Sequence, residues 1–289
     1  MDLTMSDIAI LACPQCRGSL QAGEGLLVCS RCRTPYKVTE GIPDLLPWSG
    51  RAPGPEWARW REKLDLLQQW RRTTWDGNET SRARQKVAVN LATEFFKFLA
   101  APDGGLVVEV GCGDGGLRRY LPGRRYWGVD PLPLMPSQEE GEAPFPLVRA
   151  VGERLPFADG SFDAVVLCEM LDHCLEPDRV IAEAHRVVRP AGMIGVMQSV
   201  RMPAPRVPLP ILLRVAAGRL KSRLLTGRRV DDADTKVHPM EAGEPEALLG
   251  SVATVTGRDR SGAVIFLRGV VHSSAATVAA GRAASEARE

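Results

Sequence analysis

The sequence predicts an α/β fold, a doubly wound and mostly parallel sheet, preceded by a small metal-held module. Three observations carry this expectation. Between residues 104 and 200, short apolar runs alternate with helical stretches, the pattern of a parallel sheet with helices on both faces. The first run passes into a glycine loop (Gly111, Gly113, Gly115, Gly116), and the second closes on Asp130. Near the N-terminus two C-x-x-C pairs, Cys13/Cys16 and Cys29/Cys32, are separated by 12 residues. At 289 residues the chain has room for two domains and a sizeable core. A net charge of +2 gives no global field for nucleic acid, so any basic surface is local. There is no apolar run of about 18 residues to span a membrane. Asp2 and Asp7 stand where a secretory signal would be basic, so the expected location is cytoplasmic. Seven cysteines, four of them in C-x-x-C pairs, favour metal over disulfides in a reducing compartment.

Residues 1–47 form the module. Two cysteine knuckles offer four thiolates with tetrahedral reach, the usual structural Zn²⁺ site. With cysteine at all four positions no place remains for a catalytic water, so the metal's role is structural. A module this small cannot fold well on its own core, and the metal supplies much of its stability. The competing reading, a pair of redox dithiols, lacks its usual thioredoxin-like βαβ context.

Residues 48–103 read as a helical connector or cap. Val87, Leu91, Phe95 and Phe98 recur at helical spacing and predict one apolar face. Trp57, Trp60, Trp70 and Trp75 are expected to pack on the following domain rather than to touch a ligand.

Residues 104–272 supply the sheet. Leu106–Val110, Tyr126–Val129 and Leu147–Ala150 read as strands one to three, with a proline-rich loop at 131–146. Ala164–Cys168 is continuously apolar, as a parallel strand covered on both faces requires. Pro177 suits the first turn of a helix whose buried face is Val180, Ile181, Ala184, Val187 and Val188; Pro190 and Gly192 stop it. Met193–Met197 is the fifth strand and Ala263–Leu267 the last. Residues 201–250 read as a basic lid insertion. Residues 273–289 have no aromatic side chain and little to bury, and disorder is expected there.

The chemistry lies at the glycine loop. A loop of this kind after a strand lets the backbone approach a ligand closely, and an acid ending the next strand can accept from ribose hydroxyls. The G-x-G-x-G spacing is not a dinucleotide fingerprint. Five motifs stand in order: E-V-G-C-G-D-G, G-V-D, L-P-F-A-D-G-S-F-D-A-V-V, C-E-M-L-D-H and R-V-V-R-P-A-G-M. Together they resemble the ubiquinone/menaquinone-type branch of the class I methyltransferases that use S-adenosylmethionine, across roughly residues 104–200. D-I-A-I-L-A-C-P-Q-C-R-G-S-L and L-L-V-C-S-R-C-R-T-P-Y-K-V-T-E-G-I-P-D-L-L-P resemble the small zinc-ribbon proteins that activate RNA and protein methyltransferases as a separate subunit, here fused to the enzyme over residues 6–47.

The resemblance implies a Rossmann-like fold, with S-adenosylmethionine and Zn²⁺ as the bound groups. It places the backbone of Gly111, Cys112 and Gly113 at the methionine part of the cofactor, with the Cys112 side chain as packing, Glu109 orienting the loop and helping to satisfy the cofactor's ammonium, and Asp130 at the ribose. Relatives carry an aspartate for the adenine amino group where this chain has Val151, which leaves that role to backbone groups of Gly152 and Glu153, to the Glu153 side chain or to apolar contact alone; a solvated loop charge is the competing role for Glu153. Cys168, ending the fourth strand, completes the set. Methyl transfer needs positioning above all, and a hydroxyl or amine acceptor also needs a base. His173 is the first candidate, since its ordinary pKa of about 6.5 suits proton removal near neutrality. Glu169 is the second and His238 the third; a structural hydrogen bond is the competing role for His173.

The expected acceptor is a small molecule or a lipid-linked biosynthetic intermediate, methylated on O, N or C. One alternative is an RNA base methyltransferase, although an N-P-P-Y-type signature is absent after the fourth strand. Another is an inactive scaffold, suggested by Val151. Residues 201–230 hold eight Arg or Lys and no acid. If 209–225 is helical, Leu213, Ala217, Leu220 and Leu224 form a narrow apolar stripe flanked by basic residues. Such a stripe fits a plain lid, peripheral contact with an anionic membrane, or a track for RNA phosphates.

Overall fold

The computed structural model describes residues 3–49, 54–74, 79–132, 145–202 and 235–272. The N-terminal module opens with helix α1 (Met5–Ala9), begun by a capping box in which the Thr4 hydroxyl accepts from the Asp7 amide and the Asp7 side chain accepts from the Thr4 amide. Four short antiparallel strands follow in sequence order: β1 (Leu20–Gly23), β2 (Leu26–Cys29), β3 (Pro35–Thr39) and β4 (Ile42–Pro43). Helices α2 (Pro55–Thr74) and α3 (Glu79–Leu99) form the connector.

The larger sheet contains β5 (Leu106–Val110), β6 (Arg125–Asp130), β7 (Leu147–Arg149), β8 (Phe162–Cys168), β9 (Val188–Ser199), β10 (Thr254–Ser261) and β11 (Val264–Val270). Its order is β10-β11-β9-β8-β5-β6-β7. Strands β5 to β9 pair in parallel, and β11 runs antiparallel to β9 and to β10. The order reverses at β5, the switch point at which open α/β sheets leave a crevice beyond their carboxyl ends. Helix α4 (Pro177–Val187) starts on a proline and buries Val180, Ile181, Ala184 and Val187, as its spacing requires.

Three expectations are corrected. The buried face of α3 is Ala92, Phe95, Phe96 and Leu99, whereas Val87 is 58% exposed. Residues 85–90 are all exposed, so only the C-terminal part of α3 lies on the sheet, where Phe95 meets Phe266 of β11 at 5.6 Å between ring centroids. Strand β9 starts at Val188, directly after α4, and absorbs Pro190 and Gly192 in an irregular first stretch; the register shifts opposite Phe162/Ala164. Within the stretch read as an insertion, Glu244–Gly250 is a helix, α5, packed against α4 and the β9–β11 edge. The basic segment 209–225, Trp75 and residues 273–289 lie outside the described residues. No helix among the described residues is long and apolar enough to cross a membrane.

The module docks on the larger sheet through backbone as well as side chains. Asp44 bridges Arg149 of β7 in parallel, with the Leu45 amide donating to the Arg149 carbonyl at 2.8 Å. On another side the Ala12 amide donates to Pro156 O at 2.9 Å, and the Ala158 amide to Ile10 O at 2.9 Å. Leu11, Tyr36 and Leu45 join Val110, Phe157 and Leu167 in one continuous core. The module therefore shares the larger domain's core rather than relying on its own.

Candidate active site

A cavity of about 490 Å³ opens at the carboxyl ends of β5, β6 and β8, with α2 as its outer wall. Its floor begins at Gly111, which turns the chain sharply at φ +77°; a Cβ there would lie 2.8 Å from Met170 Cβ. Gly115 is equally constrained, at φ +72° and against the Phe145 ring. Only glycine meets both conditions without strain.

Asp130 is 3% exposed and lines the cavity. Its Oδ2 accepts from the Gly113 amide at 2.8 Å and its Oδ1 from the Leu132 amide at 2.8 Å. One carboxylate thus fixes both the glycine loop and the following turn. An ionised carboxylate is an acceptor with about four lone-pair sites, the chemistry that ribose hydroxyls call for. Glu109 is not among the residues lining this cavity. It lies under the loop, where the Tyr126 hydroxyl donates to its Oε2. Burial pushes its carboxyl up to about 8, opposed by the Tyr126 hydrogen bond and helped by the charges of Asp114 and Asp130. The Cys112 side chain is also turned inward, filling the space above Gly128, so only its backbone faces the loop's ligand side.

Gly152 and Glu153 stand in a short 3-10 turn and line the cavity, as does Cys168. The Glu153 carboxylate accepts from the Leu175 amide at 2.8 Å, tying this turn to the approach to α4. Burial raises its pKa against those backbone hydrogen bonds. Val151 packs with Trp60, Leu64 and Leu67.

The far end holds different chemistry. Glu169 sits at φ +49°, and its Oε1 accepts from the Ser199 hydroxyl at 2.9 Å. Burial pushes its carboxyl up to about 7, with the neighbouring Asp172 charge adding to the rise and Ser199 and Lys236 opposing it. Asp172 is 1% exposed and pairs with Lys236 at 2.8 Å. Its carbonyl accepts from the Val237 and His238 amides at 2.8 and 3.0 Å. His173 lines the cavity with Nδ1 3.2 Å from the Thr235 carbonyl and Nε2 3.7 Å from Asp172 Oδ1. Both ring nitrogens therefore face oxygens. His238 is not brought to the cavity. It is captured at the surface by Glu244 in the first turn of α5, at 2.5 Å.

The connector tryptophans contribute more than packing. Trp60 and Trp70 line the cavity, and Trp60 Nε1 donates to the His173 carbonyl at 3.0 Å. Asp172, Ser199 and Lys236 were missed from sequence. Asp172 had a signal, its place in C-E-M-L-D-H; Lys236 and Ser199 had none.

In the module, the Sγ atoms of Cys13, Cys16, Cys29 and Cys32 all lie within 4.8 Å of one another. Tetrahedral Zn–S bonds of about 2.3 Å place sulfurs roughly 3.8 Å apart, so the four fit one ion. The Tyr36 hydroxyl lies 3.0 Å from Cys13 Sγ and supports the cluster from behind.

Residues 108–196 match the methyltransferase-domain family, and residues 8–41 match the Trm112p-like proteins. Human thiol S-methyltransferase TMT1A is 33% identical over 133 residues, covering 43% of this chain and 53% of that protein. The phthiotriol/phenolphthiotriol dimycocerosates methyltransferase of Mycobacterium leprae is 38% identical over 97 residues, covering 31% and 36%. The chain thus spans about half or less of these relatives' length. A solved complex of the Haloferax volcanii Trm112 methyltransferase activator with a methyltransferase shares the fold, with a TM-score of 0.50 at 15% identity over 69% of this chain and 96% of that one. The chain carries a methyltransferase domain with the Rossmann-like, S-adenosylmethionine-binding fold, behind a Trm112p-like ribbon whose four cysteines are placed for zinc. The narrower likeness to the ubiquinone/menaquinone branch rests on the motifs alone.

Proposed function

We propose that this chain is an S-adenosylmethionine-dependent methyltransferase acting on a small, largely apolar acceptor, with its zinc ribbon as a built-in structural partner. One observation carries the reading. A single cavity runs from Gly111, Asp130 and Gly152 to Glu169 and His173, and α2 closes its side with Trp60, Leu64, Leu67 and Trp70. Its size suits a cofactor and a modest acceptor, and relatives named for a thiol and for phthiotriol dimycocerosates fit a non-polymeric substrate.

S-adenosylmethionine supplies a methyl group already activated on a sulfonium. The chain's own residues bind and orient. Gly111 and Gly113 admit the methionine part against bare backbone, with Glu109 bracing the loop from below. Asp130 accepts from the ribose, while Gly152, Glu153, Val151 and Cys168 close around the adenosine. Glu169 takes the acceptor's proton, since a carboxyl titrating near 7 is an efficient base at neutrality. His173, with both nitrogens against oxygens, positions the segment around Asp172. The apolar wall of α2 excludes water from the transfer. Acceptor methylation on O, N or S remains within this reading. The RNA alternative leans on the basic stretch of residues 201–230.

Calorimetric titration with S-adenosylhomocysteine tests the cofactor part. Label transfer from methyl-labelled S-adenosylmethionine into a fractionated cell extract tests the acceptor. Label in the lipid and small-molecule fraction supports the reading; label lost on nuclease treatment replaces it with the RNA alternative.

A further inference from the structure

Resting on the methyl-transfer reading above, we propose that the acceptor is a small-molecule amine that enters as its ammonium ion, gives a proton to Glu169, and is methylated on nitrogen. The charge at the acceptor end points this way. Glu169 and Asp172 line it, and Asp130 and Glu153 lie further along the same cavity. Among the described lining residues Lys236 is the one lysine or arginine, and it is engaged by Asp172 at 2.8 Å. Glu169 accepts from the Ser199 hydroxyl at 2.9 Å and feels the charge of Lys236, which pairs with Asp172. Among the described residues two carboxylates, Glu169 and Asp172, thus share one cation at this end of the cavity, and a second cation completes the balance.

The backbone holds Glu169 in place for this role. Its φ of +49° is in the left-handed region, costly for a side chain with a Cβ, and it persists because the Glu169 amide donates to Met197 O at 2.8 Å while Ser199 grips the carboxylate. The walls complete the argument. Trp60, fixed through its indole nitrogen to the His173 carbonyl, and Trp70 line the same cavity, and aromatic walls suit an apolar body bearing an ammonium group.

The step balances. R–NH₃⁺ passes a proton to the Glu169 carboxylate, giving R–NH₂ and a neutral carboxyl group. The nitrogen lone pair then forms the N–C bond as the C–S bond breaks, and that electron pair stays on sulfur. The products are R–NH₂⁺–CH₃ and S-adenosylhomocysteine. Removing the proton also removes the repulsion between ammonium and sulfonium. An alcohol, phenol or thiol would instead become an anion beside Asp172, with Lys236 already committed.

The test is calorimetric titration of the full zinc-loaded chain, saturated with S-adenosylhomocysteine, using four probes on one body: phenethylamine, phenethyl alcohol, phenethyl mercaptan and hydrocinnamate. The amine is expected to bind about 10-fold or more tighter than the alcohol, the gain of one charge-assisted hydrogen bond, and hydrocinnamate to give no heat. Glu169→Gln should erase the amine's advantage while S-adenosylhomocysteine still binds. Should that variant fail to fold, the same comparison on the unsubstituted protein at about pH 8 and about pH 6 should show the amine's advantage shrink as Glu169 takes up its proton. Equal binding of alcohol or mercaptan, preference for the carboxylate, or no binding by any of the four overturns the inference while leaving the methyl-transfer reading in place. Failure of S-adenosylhomocysteine itself to bind overturns that reading, and this inference with it.

Discussion

At the cofactor end of the cavity, backbone and one carboxylate suffice: Gly111, Gly113 and Asp130 lie within twenty residues of one another and are joined by the Gly113 amide on Asp130 Oδ2 at 2.8 Å. At the acceptor end, side chains arrive from distant stretches. Trp60 and Trp70 come from α2, Glu169 to His173 follow β8, Ser199 ends β9, and Lys236 stands beyond the basic segment. The first arrangement is local and serves one invariant ligand. The second is assembled by the tertiary fold, and it is where a substrate preference can be changed without disturbing the cofactor.

The ribbon sharpens this contrast, because it grips the cofactor end. Arg149 joins Asp44 at 2.8 Å to the Pro131 carbonyl at 3.1 Å, next to Asp130. Arg17 pairs with Glu183 at 2.6 Å, and Glu183 Oε2 accepts from the Leu155 amide at 3.0 Å, beside the Gly152 turn. Metal analysis should find about one zinc per chain. Stripping it should have the largest effect expected here, because structural zinc supplies on the order of 10 kcal/mol to such modules. The ribbon should unfold, and S-adenosylhomocysteine affinity should fall by about 100-fold or more, equivalent to roughly 3 kcal/mol. Unchanged affinity in the zinc-free protein would separate the ribbon from the site.

Glu169→Gln attacks the other end. Loss of a general base costs about 10²- to 10⁴-fold in kcat, and S-adenosylhomocysteine affinity should be unchanged by calorimetry. In the unsubstituted protein kcat should rise with pH through about 7, because the base must be ionised to act. The variant should lose that rise. An intact rise would remove Glu169 from the role of base.

The glycine loop, the strand-ending acid and the cysteine cluster were legible because their signals are short-range. Glycine spacing, a strand-ending acid and two cysteine knuckles each need only a few neighbouring residues. What sequence could not supply was orientation and distance. Glu109, read as orienting the loop and reaching the cofactor's ammonium, braces the loop from below through Tyr126 and does not line the cavity, while Cys112 packs inward as its small side chain suggested. The face of α3 was misjudged because periodicity does not reveal how much of a helix lies on the sheet. His238 sits in a suggestive place in the chain, yet the first turn of α5 captures it. Lys236 has no local signature at all; its position depends on backbone hydrogen bonds from Val237 and His238 to the Asp172 carbonyl.

Asp130→Asn probes the cofactor end with a smaller expected effect. The amide keeps one acceptor oxygen and loses the charge, so either the Gly113 or the Leu132 amide loses its partner and the ribose loses a charge-assisted acceptor. Such bonds are worth about 1.5–3 kcal/mol, or roughly 10- to 150-fold in S-adenosylhomocysteine affinity. Binding within a factor of about two of the unsubstituted protein would refute the ribose assignment. The variant should still melt as one folded domain, since the core beneath β6 is untouched.

The smallest effect on ligand binding is expected at Glu109, where the change is in stability instead. Glu109 titrates at about 8 in the fold against 4.5 as its ordinary value, so the native state holds its proton more tightly than the unfolded chain. Its contribution to stability is fully present below about 4.5 and is lost as pH rises through about 8. Glu109→Gln keeps the shape and an oxygen for the Tyr126 hydroxyl but cannot ionise. The variant should melt close to the unsubstituted protein at acid pH and higher than it at alkaline pH, with each kcal/mol recovered worth roughly 2–4 °C. A melting-temperature difference that does not grow with pH would mean that Glu109 ionises freely. The glycine loop would then carry a charge beneath it that a bound sulfonium could sense.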